Sequence, residues 1–174
     1  EDFASKFKET IERWSGFKAR FFQRVQKPDN YIQNRKIQYV TYIDSKEAAD
    51  FLYWFNINNL SNFDPKMKSA FLRGFFDSEG SISDITSERR MRLQCYNTNL
   101  SIINLVKEIL TQLGVNYDIY IKKIHKIGHY NSKGIIYIIN IKKESIINFY
   151  NYIGFNIKRK QERLVNQVKL IKGD

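Results

Sequence analysis

Hydrophobic positions recur along this chain with the periods of both helices and strands. In 64–78 they fall three or four residues apart, the spacing of a helix face, at Met67, Ala70, Phe71, Gly74 and Phe75. Asp64 and Pro65 indicate where this helix begins, because an Asp side chain accepts backbone N–H groups and proline suits the first turn. In 89–97, apolar and polar residues alternate, which predicts a strand with one buried face.

The same criteria, with glycine and proline as breaks, predict the remaining elements. Downstream of helix 64–78 we expect strands at 81–86 and 89–97, a helix at 100–112, strands at 115–124 and 134–142, a helix at 144–152 and a basic helix from about 159. Upstream we expect a helix at 2–14, strands at 16–26 and 35–43, and a helix at 45–55. Helices followed by pairs of neighbouring strands are an element order that fits the α+β class.

An internal repeat organises these elements. Shifting the chain by 98 residues aligns helix with helix and strand with strand, and it superposes Gly16 on Gly114, Tyr39 on Tyr137, Ile43 on Ile141 and Phe51 on Phe149. The first copy begins at the counterpart of Asn99, so it has no counterpart of 64–98. We therefore predict a partial first repeat in 1–60, lacking its first helix and hairpin, and a complete second repeat in 61–174.

Composition limits the kinds of partner and the cellular compartment that we expect. The 174 residues carry a formal net charge of +11, so we expect a polyanion as partner, although basicity does not separate nucleic acid from a membrane surface. No apolar run is long enough to span a bilayer, and the first residues lack the features of a signal peptide. One cysteine, Cys95, excludes a disulfide framework. We predict a protein of the cytoplasm or an organellar matrix, not a secreted one.

A few single residues need an interpretation of their own. Cys95 falls on the apolar side of its strand, where it would fill the core, and we expect Trp14 and Trp54 to anchor the core as well. His125 and His129 are four residues apart, but Gly128 breaks the helix that would align them and no third ligand follows. We interpret both histidines as loop residues rather than zinc ligands.

The helix 64–78 ends in an unusual way. Residues 72–80 read Leu-Arg-Gly-Phe-Phe-Asp-Ser-Glu-Gly, so an apolar helix ends in two carboxylates and a glycine. Ala70, Gly74 and Ser78 lie at i, i+4 and i+8 and form a ridge almost without side chains, which lets a second helix approach closely. Such a pair can hold a metal ion at its end. The alternative is an ordinary core helix with a solvated acidic end.

Residues 72–80 resemble the motif of the LAGLIDADG homing endonucleases. Leu72, Gly74, Asp77 and Gly80 are identical to it, and Glu79 occupies the position of the family's metal-binding acid. The resemblance implies half-domains of the order αββαββα, whose antiparallel sheets form a DNA-binding saddle with the helices on the other face. It also implies an intron- or intein-encoded enzyme that uses Mg²⁺, with Mn²⁺ or Ca²⁺ as substitutes, to cleave long asymmetric targets in double-stranded DNA.

The resemblance assigns individual residues to the cleavage site. The carboxylate of Glu79 and the carbonyl of Ser78 would hold Mg²⁺, and Asp77 would cap or position the turn where two motif helices meet. Asn97, at the end of the second strand, matches the polar group that holds water in relatives. Residues 155–161 resemble the family's F-x-x-K-x-K-Q stretch, which places Lys158 near the scissile phosphate, where it would stabilise developing charge or lower a water's pKa.

The polar sides of the predicted strands are candidates for reading DNA. A solvated sheet face is polar in any protein, but long polar side chains mixed with tyrosine also suit contacts to base edges in the major groove. Given the motif, we interpret them as DNA-binding residues, which comprise Lys18, Arg20, Arg24, Gln26, Arg90, Arg92, Gln94, Tyr96, Asn116, Asp118, Tyr120 and Lys122.

Several alternatives stay open at this stage. Two active sites need two acids, so a second motif helix would have to come from a missing N-terminal segment or from another copy of the chain. An intron maturase uses the same fold to bind structured RNA without needing the acid. A DNA-binding descendant with an idle acid, or a basic domain whose motif helix only dimerises it, would also fit. The intact Glu79 favours the nuclease.

Overall fold

The computed structural model describes residues 1–25, 37–84, 91–124 and 134–173. It divides the chain into two compact units, Glu1–Asn56 (unit 1) and Ile57–Asp174 (unit 2). The predicted candidates Gln26, Arg90, His125 and His129 lie outside the described residues. None of the helices in the described ranges is both long enough and apolar enough to cross a membrane.

Unit 1 contains the four predicted elements, with shorter strands. They are α1 (Asp2–Ser15), β1 (Arg20–Arg24), β2 (Gln38–Tyr42) and α2 (Lys46–Trp54). Helix α1 ends at Gly16, whose φ of 72° is the left-handed conformation that glycine adopts without strain. Helix α2 begins after Ser45, whose side chain accepts the backbone N–H of Ala48.

Helix α1 lies on one face of the β1–β2 hairpin. The hydroxyl of Thr41 donates to the carbonyl of Ala4 at 2.7 Å, and the backbone N–H of Ala19 donates to Glu12 at 2.9 Å. The strands pair Phe21 with Thr41 and Phe22 with Val40, so alternate residues face opposite sides. Arg20, Phe22 and Arg24 therefore lie on the face away from α1, as predicted.

The core of unit 1 is small. Of its described residues only Ala19 and Ala48 are buried, and many aromatic side chains are exposed. The prediction that Trp14 and Trp54 anchor the core was wrong, because they are 47% and 80% exposed. The ring of Trp14 contacts that of Phe51, with ring centroids 5.4 Å apart. Burial of an aromatic residue requires a covering element, and Trp54 and its neighbour Tyr53 on α2 are both 80% exposed.

Unit 2 follows the predicted order of helices and strands. Its elements are α3 (Pro65–Glu79), β3 (Gly80–Ile82), β4 (Leu93–Asn97), α4 (Leu100–Gln112), β5 (Tyr117–Ile124), β6 (Gly134–Ile141), α5 (Ile146–Tyr152) and α6 (Lys158–Lys172), with short 3₁₀ turns at Ile57–Asn62 and Lys143–Ser145. Asp64 caps α3 as predicted, because its carboxylate accepts the backbone N–H groups of Lys66 and Met67. Asn99 caps α4 in the same way.

The four strands of unit 2 form one antiparallel sheet in the order β3-β4-β6-β5. Leu93 and Cys95 of β4 and Ile139 and Ile141 of β6 point to the face covered by the helices, where they join the core with Leu72 and Phe76 of α3. Cys95 is fully buried, as predicted. The prediction of an α+β fold with helices on one face of an antiparallel sheet is confirmed.

Candidate functional site

The foot of α3, where the motif helix meets the sheet, is tightly built. Glu79 is the last residue of the helix, and Gly80 begins β3 opposite Cys95 of β4. A Cβ atom at Gly80 would lie 2.3 Å from the carbonyl oxygen of Phe76. Only glycine therefore fits this junction, which turns the chain from helix into sheet directly after the acid.

Asp77 binds the start of α6 with its carboxylate. Its side chain is 6% exposed and accepts the backbone N–H of Asn156 at 3.1 Å and that of Ile157 at 3.3 Å. These two residues immediately precede α6, where backbone N–H groups have no partner within the helix. The charge also suits the positive end of the helix dipole. Asp77 thus fixes α6 to α3 in this chain.

Lys160 makes the reciprocal contact. Its buried ammonium donates to the carbonyl oxygens of Phe76, Asp77 and Gly80 at 3.0, 2.6 and 2.7 Å. It thereby satisfies carbonyls at the end of α3, where the helix dipole is negative. We call the two contacts, from Asp77 to α6 and from Lys160 to α3, the helix clasp. Sequence reasoning missed Lys160, although the F-x-x-K-x-K-Q pattern contains it.

The clasp explains most of the F-x-x-K-x-K-Q stretch. Phe155 is buried with its ring centroid 5.7 Å from the Lys160 ammonium, and Gln161 accepts the backbone N–H of Phe155 at 2.8 Å. Lys158, the lysine chosen from the sequence, has a side chain that is 90% exposed and lies 3.9 Å from Glu162. Its assignment to the scissile phosphate stays a prediction.

Glu79 lies partly exposed beside the buried thiol of Cys95. Burial raises the pKa of Cys95, and the negative charge of Glu79 raises it further. The thiol therefore keeps its proton at physiological pH. Oxygen donors suit a hard cation such as Mg²⁺, and the Glu79 carboxylate is an oxygen donor at this point. The carbonyls of Phe76, Asp77 and Gly80 already accept from Lys160.

Glu79 is not part of a larger cluster of potential metal ligands among the residues that the structure describes. Across the described ranges, no group of three or more His, Cys, Asp or Glu side chains is placed to hold a metal ion. Asn97 lies at the end of β4, and its side-chain oxygen accepts the backbone N–H of Asn99 at 2.9 Å. It therefore shapes the turn into α4, and its role with an active-site water stays a prediction.

The small-residue ridge of α3 faces solvent. Ala70, Gly74 and Ser78 are all exposed, and a Cβ atom at Gly74 would have no neighbour within 4 Å. Leu72 and Phe76, on the opposite side of the helix, are fully buried. The inner side of the helix is thus apolar, and its outer side carries only small side chains. Its outer side has room for the backbone of a second helix.

The face of the unit 2 sheet away from the helices carries two rows of side chains. The strand register aligns the first row across β3, β4, β6 and β5, which we call the amide row, consisting of Ser81, Gln94, Asn140 and Asp118. The next row on the same face, which we call the apolar row, consists of Tyr96, Ile138 and Tyr120. The predicted placement of Gln94, Tyr96, Asp118 and Tyr120 on one face is confirmed by this register.

The other candidates on the unit 2 sheet are also accessible. Arg92, Asn116 and Lys122 are exposed, and Lys122 follows Tyr120 at the alternate position of β5. Sequence reasoning missed Ile138 and Asn140, because β6 reads Gly-Ile-Ile-Tyr-Ile-Ile-Asn-Ile and its apolar run hides the alternation. Only the pairing with β4 and β5 shows which side each residue takes.

The face of the unit 1 hairpin is more basic. Arg24 and Lys18 are exposed, and Arg20 donates to the hydroxyl of Tyr42 at 3.2 Å and lies 3.7 Å from Asp44. The Arg20 guanidinium also lies 5.7 Å from the centre of the Tyr42 ring. These contacts orient Arg20 along the open face.

The helix with an acid at its foot and the adjoining sheet lie in a range that a family model matches. The family model described as a LAGLIDADG-like domain matches residues 66–154, just over half of the chain. The chain belongs to the LAGLIDADG family. The matched range contains the motif helix, the helix-to-sheet junction and the whole four-stranded sheet.

Two relatives of this chain are at least 30% identical to it. Two uncharacterized proteins of Methanocaldococcus jannaschii, MJ0314 and MJ0398, are 31% and 36% identical over 71% and 69% of this chain. The alignments cover 46% and 44% of these relatives, so the chain spans less than half of their length.

Two solved structures share the fold. The homing endonuclease I-DmoI in complex with DNA and Ca matches with a TM-score of 0.54 and 19% identity, over 91% of this chain and 72% of its own. The N-terminal LAGLIDADG domain of WhiA matches with a TM-score of 0.52 and 21% identity, over 94% and 71%. At this level of identity the likeness concerns the fold.

Proposed function

We propose that this chain is part of a site-specific endonuclease of the homing type, which hydrolyses phosphodiesters in double-stranded DNA at a long asymmetric target. The observation that carries the proposal is Glu79, a partly exposed carboxylate at the foot of the motif helix, beside an open sheet face. A structural role would not require an acid there, because Asp77 and Lys160 already join the helices.

The donors at the foot of α3 fit a divalent cation. Glu79 and the carbonyl of Ser78 would hold it, since both offer oxygen atoms and the neighbouring thiol is neutral. When bound, Mg²⁺ would polarise the phosphate and lower the pKa of the attacking water. Structures of I-DmoI have been determined with Ca and with Mn, which supports the choice of a hard cation.

The small-residue ridge supplies the second half of the site in this proposal. One Glu79 at the end of one motif helix serves one strand of DNA, so cleavage of both strands needs a second acid. A second motif helix, from a preceding segment or from another copy of the chain, would pack on Ala70, Gly74 and Ser78. The exposure of these three residues supports this arrangement.

Replacement of Glu79 tests the proposal. In the full-length protein, Glu79→Gln should abolish Mg²⁺-dependent cleavage of target DNA and leave DNA binding within about twofold of wild type, because the shape is kept and only the anionic ligand is lost. Glu108→Gln, an exposed acid on α4, is the matched control. Wild-type cleavage by the Glu79 variant would refute the nuclease assignment.

One observation favours a second candidate, a DNA-binding domain whose acid is idle. Among the described residues, Glu79 has no companion acids to complete a metal site. In that case DNA binding would not respond to Mg²⁺, and Glu79→Gln would leave every DNA-dependent property unchanged.

A further inference from the structure

The amide row of the unit 2 sheet has an unusual pair at its centre. Gln94 and Asn140 face each other on neighbouring strands, and both are partly exposed. Neither side chain has a hydrogen-bond partner among the described residues. An amide donates and accepts at the same time, which is the pattern that adenine presents with N6–H and N7 in the major groove.

The ends of the amide row are less available. Asp118 lies 3.4 Å from the ammonium of Lys142, which offsets part of the negative charge that it would present to a phosphate backbone. Ser81 has the shortest side chain of the row. The two central amides are therefore the groups of this row that can contact a base edge through two hydrogen bonds.

The apolar row lies directly beside the amide row. Ile138 is flanked by Tyr96 and Tyr120, which are 40% and 55% exposed. Ile138 is not part of the core, which β6 reaches through Ile139 and Ile141. A partly exposed isoleucine between two tyrosines leaves apolar surface in water unless a ligand covers it. The apolar group that the major groove offers is the C5-methyl of thymine.

We infer that this sheet face reads A·T base pairs in the major groove, with Gln94 and Asn140 on adenine and the apolar row on the thymine methyl. The inference rests on the proposed function and names its substrate more closely. It selects DNA over structured RNA for this face, because uracil lacks the methyl group and the major groove of A-form RNA is too narrow for side chains to read.

Selection from random duplexes tests the amide contacts. The full-length protein, kept free of Mg²⁺ to prevent cleavage, should enrich duplexes with A·T pairs at adjacent positions of one half-site. Gln94→Ala, and separately Asn140→Ala, should each reduce the adenine preference at one of these positions about tenfold. Gln112→Ala removes an exposed amide at the end of α4 and should leave the preferences unchanged. Circular dichroism verifies that each variant is folded.

Deoxyuridine tests the apolar row on the selected duplex. Replacing the selected thymines removes only their methyl groups, so wild-type affinity should fall several-fold while Ile138→Ala should bind both duplexes equally. Unchanged wild-type affinity, or an adenine preference that survives both amide variants, would overturn the inference and leave the proposed function intact. Enrichment of no sequence at all would overturn both.

Discussion

At the scale of single residues, the helix clasp shows how two charges support the proposed site without being part of it. Lys160 is 6% exposed, and an ammonium removed from water to this degree is tolerated only when oxygen atoms surround it. Three carbonyls provide them at the end of α3. Each helix thus carries a charge that stabilises the terminus of the other, and Glu79 follows directly from that fixed end.

Replacement of Lys160 should therefore be costly. Lys160→Met keeps the apolar stem but leaves three carbonyls with one donor fewer each, and we expect a loss of about 2–3 kcal/mol in the free energy of unfolding. Lys158→Met, at the exposed lysine two residues earlier, should change it by less than about 0.5 kcal/mol. Urea unfolding followed by circular dichroism measures both. Equal midpoints for the two variants would contradict the assigned role of Lys160.

At the scale of elements, α3 combines two opposite faces. Its inner face places Leu72 and Phe76 in the core, while its outer face is the exposed small-residue ridge. Glycine on the exposed side of an isolated helix is unfavourable, because it lowers helix stability relative to alanine by about 1 kcal/mol. The proposed second motif helix would supply a physical reason for glycine there, because its backbone could then approach closely.

Gly74→Leu separates the stability of the chain itself from the packing of a second helix on α3. A Cβ at this position meets no atom within 4 Å, so the variant should not lower the free energy of unfolding of the chain by itself. It should prevent association with a second motif helix and abolish cleavage, because a leucine cannot fit between two backbones. Sedimentation at several concentrations, with and without the partner segment, measures association. Unimpaired cleavage by Gly74→Leu would show that the ridge has no partner.

Sequence patterns predicted elements better than contacts between them. The beginning of α3 follows from Asp64, because a cap is a local interaction, and Asn99 caps α4 in the same way. The burial of Lys160 could not be predicted, because its carbonyl partners are about 80 residues away in the sequence. A lysine at the start of a helix is expected to be exposed to solvent unless such partners are known. The prediction for Trp54 was wrong because its aromatic character indicates only a tendency to be buried. The sequence does not show which surface would cover it.

At the scale of the whole molecule, the formal net charge of +11 attracts polyanions in general, and under the proposed function residues on the sheet faces would add sequence preference. The two described sheets differ in this respect. The hairpin of unit 1 offers Arg20 and Arg24, which suit guanine, whereas the centre of the unit 2 sheet offers amides and apolar groups.

Arginine replacement in unit 1 should separate specificity from general attraction. Arg20→Gln and Arg24→Gln should each weaken binding to the specific duplex about tenfold, with a smaller loss on random duplexes, because a base contact adds to the phosphate attraction. Lys46→Gln, at an exposed lysine that begins α2, should weaken both duplexes equally and slightly. Fluorescence anisotropy at fixed salt measures these affinities. Equal losses on both duplexes for the arginine variants would assign them to the backbone.

The small core of unit 1 has a consequence for folding. Fixing a residue's backbone costs about 1–2 kcal/mol. Among the described residues of unit 1 only Ala19 and Ala48 are buried, so these residues gain little apolar burial to offset that cost. We therefore expect unit 1 to become ordered when another surface covers its exposed aromatic residues. Limited proteolysis of the chain alone, read by mass spectrometry, should cut first within 1–56 and leave a resistant fragment from about Ile57 onward. Under the proposed function, bound DNA or a second motif helix should slow those first cuts, so that protease resistance would report assembly of the proposed nuclease.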